Sequence, residues 1–381
     1  MSIQNITVML WFCKHPIQIF PKNKTKKGGN ILPISIYNYE KTKLNLLLDL
    51  VKNSSIKNGF NEFYFDSDWE NGPNIFIVYK DSYREYQKIP ELKECVDNYL
   101  DFNKLDPRYI KKEQIKYLKQ QQRLAKLEGR SGIKDSSIRN HGEVIIRNPK
   151  SGVYNSEYHL TKFSHYRRKL NPLLINILED FVEMDSHEKA HLFLYKFRFI
   201  ATLFEDGPAN GCLSFLSQAQ GFLSSVENWG YKTNFINQFE EKRKSIFKDN
   251  EIVVNPYVKN KLLEWELAWK EIAADMNENF SLDNYKDDSM ISIEEQLSRL
   301  KTTISPLKNK FHGDLKRMED LEGFITSKKM MVYRDIVNLF YLSLPLFEQS
   351  VINKQFYAYS AVKYYEELLP DEIQYSFEVI E

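Results

Sequence analysis

Apolar and polar residues alternate in two distinct ways along this chain. Near the N-terminus the apolar residues come in short, dense runs broken by turn-forming residues. Beyond about residue 150 they recur at helical spacing over long stretches. Phe63 to Val78, FYFDSDWENGPNIFIV, is the clearest case of the first kind. Phe63-Tyr64-Phe65 and Ile75-Phe76-Ile77-Val78 predict two antiparallel strands, joined by a turn around Asn71-Gly72-Pro73. Trp69, beside that turn, puts a large flat side chain at a sheet edge or a pocket mouth. Two further runs, Ile6 to Phe12 and Ile31 to Tyr37, read as strands, and Gly142 to Arg147 as a short one. Between them, Leu44, Leu47, Leu48 and Val51 mark a helix over residues 43–57, which Gly59 ends.

The order strand, helix, strand, strand predicts an α+β fold, with a mixed and mainly antiparallel sheet toward the N-terminus and helices packed on it. Asp106-Pro107 opens a helix, with Asp as cap and Pro at the first helical position, running to near Gly129. That helix is polar on most sides, with Ile115, Leu118 and Leu124 among its few apolar residues, and reads as a surface arm. The C-terminal portion is largely helical. Helices are expected from Leu170 to about Phe204, with Pro208 to Gly211 breaking the pattern. Others follow over Val258–Met276, Ile291–Glu322 with a break at Pro306, Met331–Phe347 and Phe356–Leu369. Residues 1–381 read as one unit. A subdivision into a sheet-bearing segment, residues 1–150, and a helical segment, residues 151–381, is only a convenience, since no linker or repeat marks it.

Composition narrows the function classes. The 381 residues are 42% hydrophobic, 28% charged and 14% aromatic, which suits a packed globular fold and excludes extended disorder. The net charge of +1 provides no whole-chain field toward nucleic acid or anionic lipid. A basic loop, Pro21 to Asn30, reads as a solvated segment. Cys13, Cys95 and Cys212 are scattered and form no CxxC pair, so neither a disulfide framework nor a zinc knuckle is indicated. No apolar run approaches the roughly 20 residues of a membrane span. The first residues carry neither a basic start nor a small-residue cleavage site, so a reduced, cytoplasmic protein is expected.

Few segments carry chemistry on their own. His187-Glu188-Lys189-Ala190-His191 has the HExxH spacing that puts two imidazoles on one helix face, as in a zinc hydrolase. Asp185-Ser186-His187-Glu188 is equally a capping box that starts a helix at this point, and Lys189 places a cation between the candidate ligands. No metal and no cofactor is expected. His312 and Lys316 share a helix face. Arg334, Asn338 and Tyr341 fall at i, i+4 and i+7 inside an apolar segment, which fits either a stabilising polar network or a pocket wall. Asn210 to Leu223 reads as a loop entering an amphipathic helix. No Walker A, GxGxxG or GxSxG pattern occurs.

Four segments, in order, resemble the C-terminal domain family of class I lantibiotic dehydratases, which includes stand-alone thiopeptide-type bacteriocin biosynthesis proteins. They are DSDWENGPNIFI, NGCLSFLSQAQGFL, FHGDL and YRDIVNLFYLSL. The resemblance spans residues 31 to about 369 and implies the maturation of a ribosomally made peptide. One branch of the family eliminates glutamate from glutamylated Ser or Thr to leave a dehydroamino acid. Another joins two dehydroalanines in a formal cycloaddition and expels the leader peptide. The resemblance implies catalytic roles for His312 as an acid/base near neutral pH, Arg334 as the carboxylate binder and Tyr341 as a donor. It implies substrate contacts for Trp69, Asn74, Ser214, Gln218 and Asn338. The implied partners are a precursor peptide with its leader and a separate glutamylating subunit; no nucleic acid is expected for this chain alone.

The chain also departs from the pattern. Asn74 and Phe76 or Ile77 stand where the family carries His and Arg, and Leu216 and Gln218 where it carries Arg and His. Arg139, His141 and Arg147 are the nearby cations that could compensate. Glutamate elimination is the leading expectation. The cycloaddition, a non-catalytic protein binding leader peptide or dehydratase, and the zinc hydrolase are the alternatives.

Overall fold

A computed structural model describes residues 33–54, 62–80, 88–127, 138–147, 157–227, 232–247, 252–282 and 310–373, with a few isolated positions besides. The expected strand over residues 6–12, the basic loop over residues 21–30 and most of the helix expected over residues 291–322 lie outside the described residues. The fold is α+β, as the apolar pattern predicts. The described residues divide into two compact units: one holds those from 33 to 182 and 342–349, the other those from 183 to 341 and from 350 onward.

The first unit is built on a four-stranded sheet in the order β2-β3-β1-β4, with β1 Ile34–Tyr37, β2 Phe63–Asp68, β3 Asn74–Tyr79 and β4 Val144–Ile146. Every pairing is antiparallel. Both faces of β1, β2 and β3 are buried, which explains why they read as dense apolar runs rather than as strict alternation. Tyr64, Phe76 and Val78 form a buried cluster on the sheet. Helix α1, Leu44–Asn53, packs on α2, Ile89–Phe102; α3 spans Pro107–Leu127, and α4, Glu157–Phe181, lies along β2.

Helix α4 begins 13 residues before the helix that the sequence predicts from Leu170, and it carries Pro172 in its interior. Contacts with the sheet override the local signals there. Asn171 Oδ1 accepts from the Phe65 amide at 3.2 Å. Arg167 Nη1 pairs with Asp66 at 2.9 Å, and its Nη2 donates to the Phe65 carbonyl at 3.1 Å. The guanidinium also lies over the Tyr64 ring, 4.3 Å from its centroid.

The turn between β2 and β3 has Asn71 at φ 61 and Gly72 at φ 120. A Cβ at Gly72 would run into the Tyr39 hydroxyl, so the position requires glycine on both counts. Tyr39 Oη in turn donates to the Arg139 carbonyl at 2.9 Å.

The second unit is helical. Helix α5 is Ser186–Ala201, α6 Pro208–Gly211, α7 Leu213–Glu227, α8 Lys232–Ile246 and α9 Pro256–Glu278. After them come α10 Lys310–Arg317, α11 Leu321–Thr326, α12 Lys328–Ser343, which ends at the unit's border, and α13 Val351–Leu368. A 3-10 turn over Leu344–Phe347, belonging to the first unit, replaces the end of the helix expected up to Phe347. Pro345, at its start, lacks the amide hydrogen that an α-helix would need. Helix α13 packs against α5 and α7. At the centre, the Phe197 ring lies 5.0 Å from Phe340, 5.1 Å from Phe215 and 6.0 Å from both Tyr341 and Tyr357. No helix among the described residues is long and apolar enough to cross a membrane.

Candidate active site

Helix α7 organises the polar groups of the helical unit. Ser214, Ser217, Gln218 and Gly221 stand at i, i+3, i+4 and i+7 on one stripe, while Phe215, Leu216 and Ala219 fill the core beside it. Short helix α10 buries Phe311, His312 and Leu315 on one face. The Phe311 ring meets Tyr375 edge-on at 5.1 Å, which helps to fix that face. His312 Nε2 and Ser217 Oγ share a hydrogen bond of 3.0 Å, and both residues are buried.

That burial decides the protonation state of His312. Loss of hydration, with a smaller contribution from the Lys316 ammonium, pushes the imidazole down to about 3. The ring is therefore neutral throughout the physiological range. A neutral imidazole can donate through one nitrogen and accept through the other. The sequence does not single out Ser217. Its only local signal is the polar stripe on α7; its partner lies 95 residues away in the chain.

Helix α12 meets both α6 and α7. The Tyr333 hydroxyl donates to the Gly211 carbonyl at 2.9 Å, and the Tyr341 ring lies 6.3 Å from Phe215. His312 and Tyr341 thus contact different sides of α7, at Ser217 and Phe215. Lys354 of α13 holds its ammonium 4.4 Å from the Tyr341 ring centroid, a cation–π contact that no sequence motif announces. Arg334 and Asn338 are half-buried on the stripe the sequence predicts. Arg334 forms no ion pair among the described residues. Asn338 Oδ1 is buried and accepts no hydrogen bond from a described residue. Ser214 is half-buried, whereas Gln218 is fully enclosed. Six of the eight anticipated residues therefore belong to this helical unit: His312, Arg334, Tyr341, Ser214, Gln218 and Asn338.

Trp69 and Asn74 belong to the sheet unit, at the β2–β3 turn. Trp69 is half-buried there. Asn74 is buried, and its Nδ2 donates to the Glu70 carbonyl at 3.1 Å and the Gly72 carbonyl at 2.9 Å, stapling the turn. The neighbouring cations are engaged locally. Arg147 bonds Glu70 at 2.5 Å and stacks over Phe76, and Arg139 pairs with Glu143 at 2.9 Å. His141 Nδ1 accepts from the Tyr39 amide at 3.2 Å, and burial holds its imidazole below the ordinary range.

The HExxH segment has the structure of a helix start. Asp185 caps α5 by accepting from the His187 and Glu188 amides, and Glu188 answers at the Asp185 amide, which completes a capping box. His191 Nδ1 accepts from the Val253 amide at 3.2 Å. No group of three metal-ligating side chains occurs among the described residues. Cys212 is equally quiet, since burial pushes its thiol up to about 12.

The chain shares its fold with a pyridine synthase. It aligns with TbtD, the pyridine synthase from thiomuracin biosynthesis, at a TM-score of 0.55 and 15% identity, over 89% of this chain and 98% of that one. It aligns with TsrL at a TM-score of 0.53 and 12% identity, over 90% of this chain and 95% of that one. No protein-family model and no curated sequence matches the chain. Identity this low establishes a common architecture and leaves the chemistry to be argued from the side chains.

Proposed function

We propose that this protein matures a ribosomally made peptide by joining two dehydroalanine residues into a pyridine ring, with loss of water and of the leader peptide. The observation that carries this reading is the buried, neutral His312 held on Ser217. For the cycloaddition, a backbone amide must first take its imidic-acid form. One proton leaves the nitrogen, another reaches the carbonyl oxygen, and no net charge is transferred. A neutral imidazole beside a hydroxyl suits that exchange, since it takes one proton and returns another. Tyr341, with the Lys354 ammonium on its ring face, is the donor assigned to the carbonyl oxygen of that amide. The shared fold with a pyridine synthase over nearly the whole of both chains agrees with this reading.

Glutamate elimination is the second reading, and Arg334 favours it. A half-buried guanidinium with no carboxylate partner among the described residues suits the carboxylates of a glutamyl leaving group. In that reaction a base removes the α-proton and glutamate departs. The fold shared with a pyridine synthase over nearly the whole of both chains ranks this reading second.

Mass spectrometry of precursor peptide incubated with the protein separates the two. A dehydrated peptide that loses its leader as the ring forms supports the first reading. A glutamylated peptide converted to dehydrated peptide supports the second and overturns the first. Peptide that is retained but unchanged in mass makes the protein a binding partner only.

A further inference from the structure

Helix α3 carries a feature that neither chemistry uses. Its inward side is marked by three residues of the sheet unit. Tyr117 meets Tyr39 edge-on at 6.1 Å, Gln114 Nε2 donates to the Arg139 carbonyl at 3.2 Å, and Gln121 is fully buried. The rest of its circumference displays Arg108, Lys111, Lys112, Lys116 and Lys119, all exposed. Arg108, Lys112, Ile115 and Lys119 follow one another at i, i+4, i+7 and i+11, a stripe of roughly 17 Å at the helical rise. The one carboxylate in this stretch, Glu113, is half-buried and bonded to Lys116 at 3.0 Å. Arg108, Lys111, Lys112 and Lys119 form no ion pair among the described residues. Between these cations sit Ile115, 47% exposed, and Leu118, 49% exposed, one turn apart. Single exposed aliphatic residues are ordinary, but an adjacent pair framed by uncompensated cations is a patterned surface. It stands out further because the whole chain is nearly neutral at +1.

We infer that the outward face of α3 docks an acidic peptide segment whose carboxylates meet Arg108, Lys111, Lys112 and Lys119 and whose aliphatic side chains cover Ile115 and Leu118. Charge complementarity selects the sign of the partner. The aliphatic pair selects its class. A phosphate backbone gains nothing from two branched hydrocarbons at the centre of its contact, and no aromatic ring stands among the exposed residues of this face for a base to stack on. A membrane surface needs a broad apolar face, which two residues do not supply. This inference is independent of the reaction proposed above, because binding can be read without turnover.

The test is fluorescence anisotropy on the full chain with a labelled synthetic peptide. The probe is helical in design, with two leucines three residues apart flanked by four glutamates. Comparison probes replace Glu with Gln, or Leu with Ser, and a single-stranded RNA of similar charge completes the set. The glutamate–leucine peptide is expected to bind best, and to weaken as salt rises. The variant K111E/K112E/K119E, which alters only exposed side chains outside any described ion pair, should bind it at least about tenfold more weakly, with circular dichroism unchanged. Ile115→Ser with Leu118→Ser should weaken it about threefold or more. No binding of this probe overturns the inference. Binding indifferent to the charge reversal, equal binding of the Leu→Ser probe, or tighter binding of the RNA does so too.

Discussion

Ser217 Oγ and His312 Nε2 lie 3.0 Å apart, and both residues are buried. A hydroxyl and an imidazole so enclosed hold each other in orientation, and the enclosure keeps the ring neutral. The consequence for stability can be worked out in sign. An unfolded histidine titrates near 6.5, and His312 in the folded chain near 3. Between those values the unfolded state binds a proton that the native state refuses, so stability falls as pH falls through this window. The slope from this residue is about 1.4 kcal/mol per pH unit. Urea unfolding between pH 7.5 and 4.5 should therefore show a smaller pH dependence in His312→Gln than in the natural chain. Equal slopes would mean that His312 is not sequestered.

A related argument applies to Lys196 on α5. Its ammonium is fully buried near the rings of Phe193 and Trp265, 5.8 Å and 5.4 Å from their centroids, and burial lowers it to about 7. The unfolded value is near 10.4. Over the interval between them the unfolded chain binds the extra proton, so this residue adds stability as pH rises from 7 toward 10. Lys196→Met keeps the volume and removes the charge. It should raise stability at pH 7 and flatten the rise between pH 7 and 9. A variant less stable than the natural chain at pH 7 would show that the lysine holds a structural contact worth more than its desolvation costs.

Gly72 and Tyr39 supply a test of the turn. Alanine at Gly72 would adopt a positive φ and press on the Tyr39 hydroxyl. The backbone component alone costs about 1–3 kcal/mol. Adding Tyr39→Phe removes the obstructing oxygen and leaves the backbone strain. The double variant should therefore be less destabilised than the sum of the single changes, a coupling that thermal or urea unfolding can measure. Strict additivity would show that the turn shifts away from Tyr39 without cost.

The sequence reveals what is local and conceals what is distant. Phe63 to Val78 is readable as a hairpin because two buried strands flank a glycine that no other residue can replace. Asp185 and Glu188 announce the start of α5, since a capping box is complete within four residues. The beginning of α4 is not readable. Arg167 finds its partners, Asp66 and the Phe65 carbonyl, about 100 residues away in the chain. The candidate site divides in the same way. Arg334, Asn338 and Tyr341 can be grouped because they share a helix. Ser217 cannot be paired with His312, nor Lys354 with Tyr341, because each pair belongs to two helices that only packing brings together.

Arg334 and Arg167 predict opposite outcomes for the same substitution. Arg167 is buried, paired with Asp66 and bonded to the Phe65 carbonyl, and its loss strands a buried carboxylate. Arg167→Ala should cost about 3–5 kcal/mol and show an unfolding phenotype. Arg334 is half-buried, and no described carboxylate loses a partner when it is removed. Arg334→Ala should change stability by less than about 1 kcal/mol. Under elimination, its effect should appear instead in the processing of the precursor peptide. Under elimination, Arg334→Lys should restore little, because an ammonium cannot reproduce the two-pronged grip of a guanidinium on a carboxylate. Under ring formation, Arg334→Ala should leave most of the activity in place. Paired measurements of melting temperature and peptide mass separate these cases: a folded Arg334→Ala that still forms the ring favours the neutral His312 chemistry, and one that is folded and inert favours glutamate elimination.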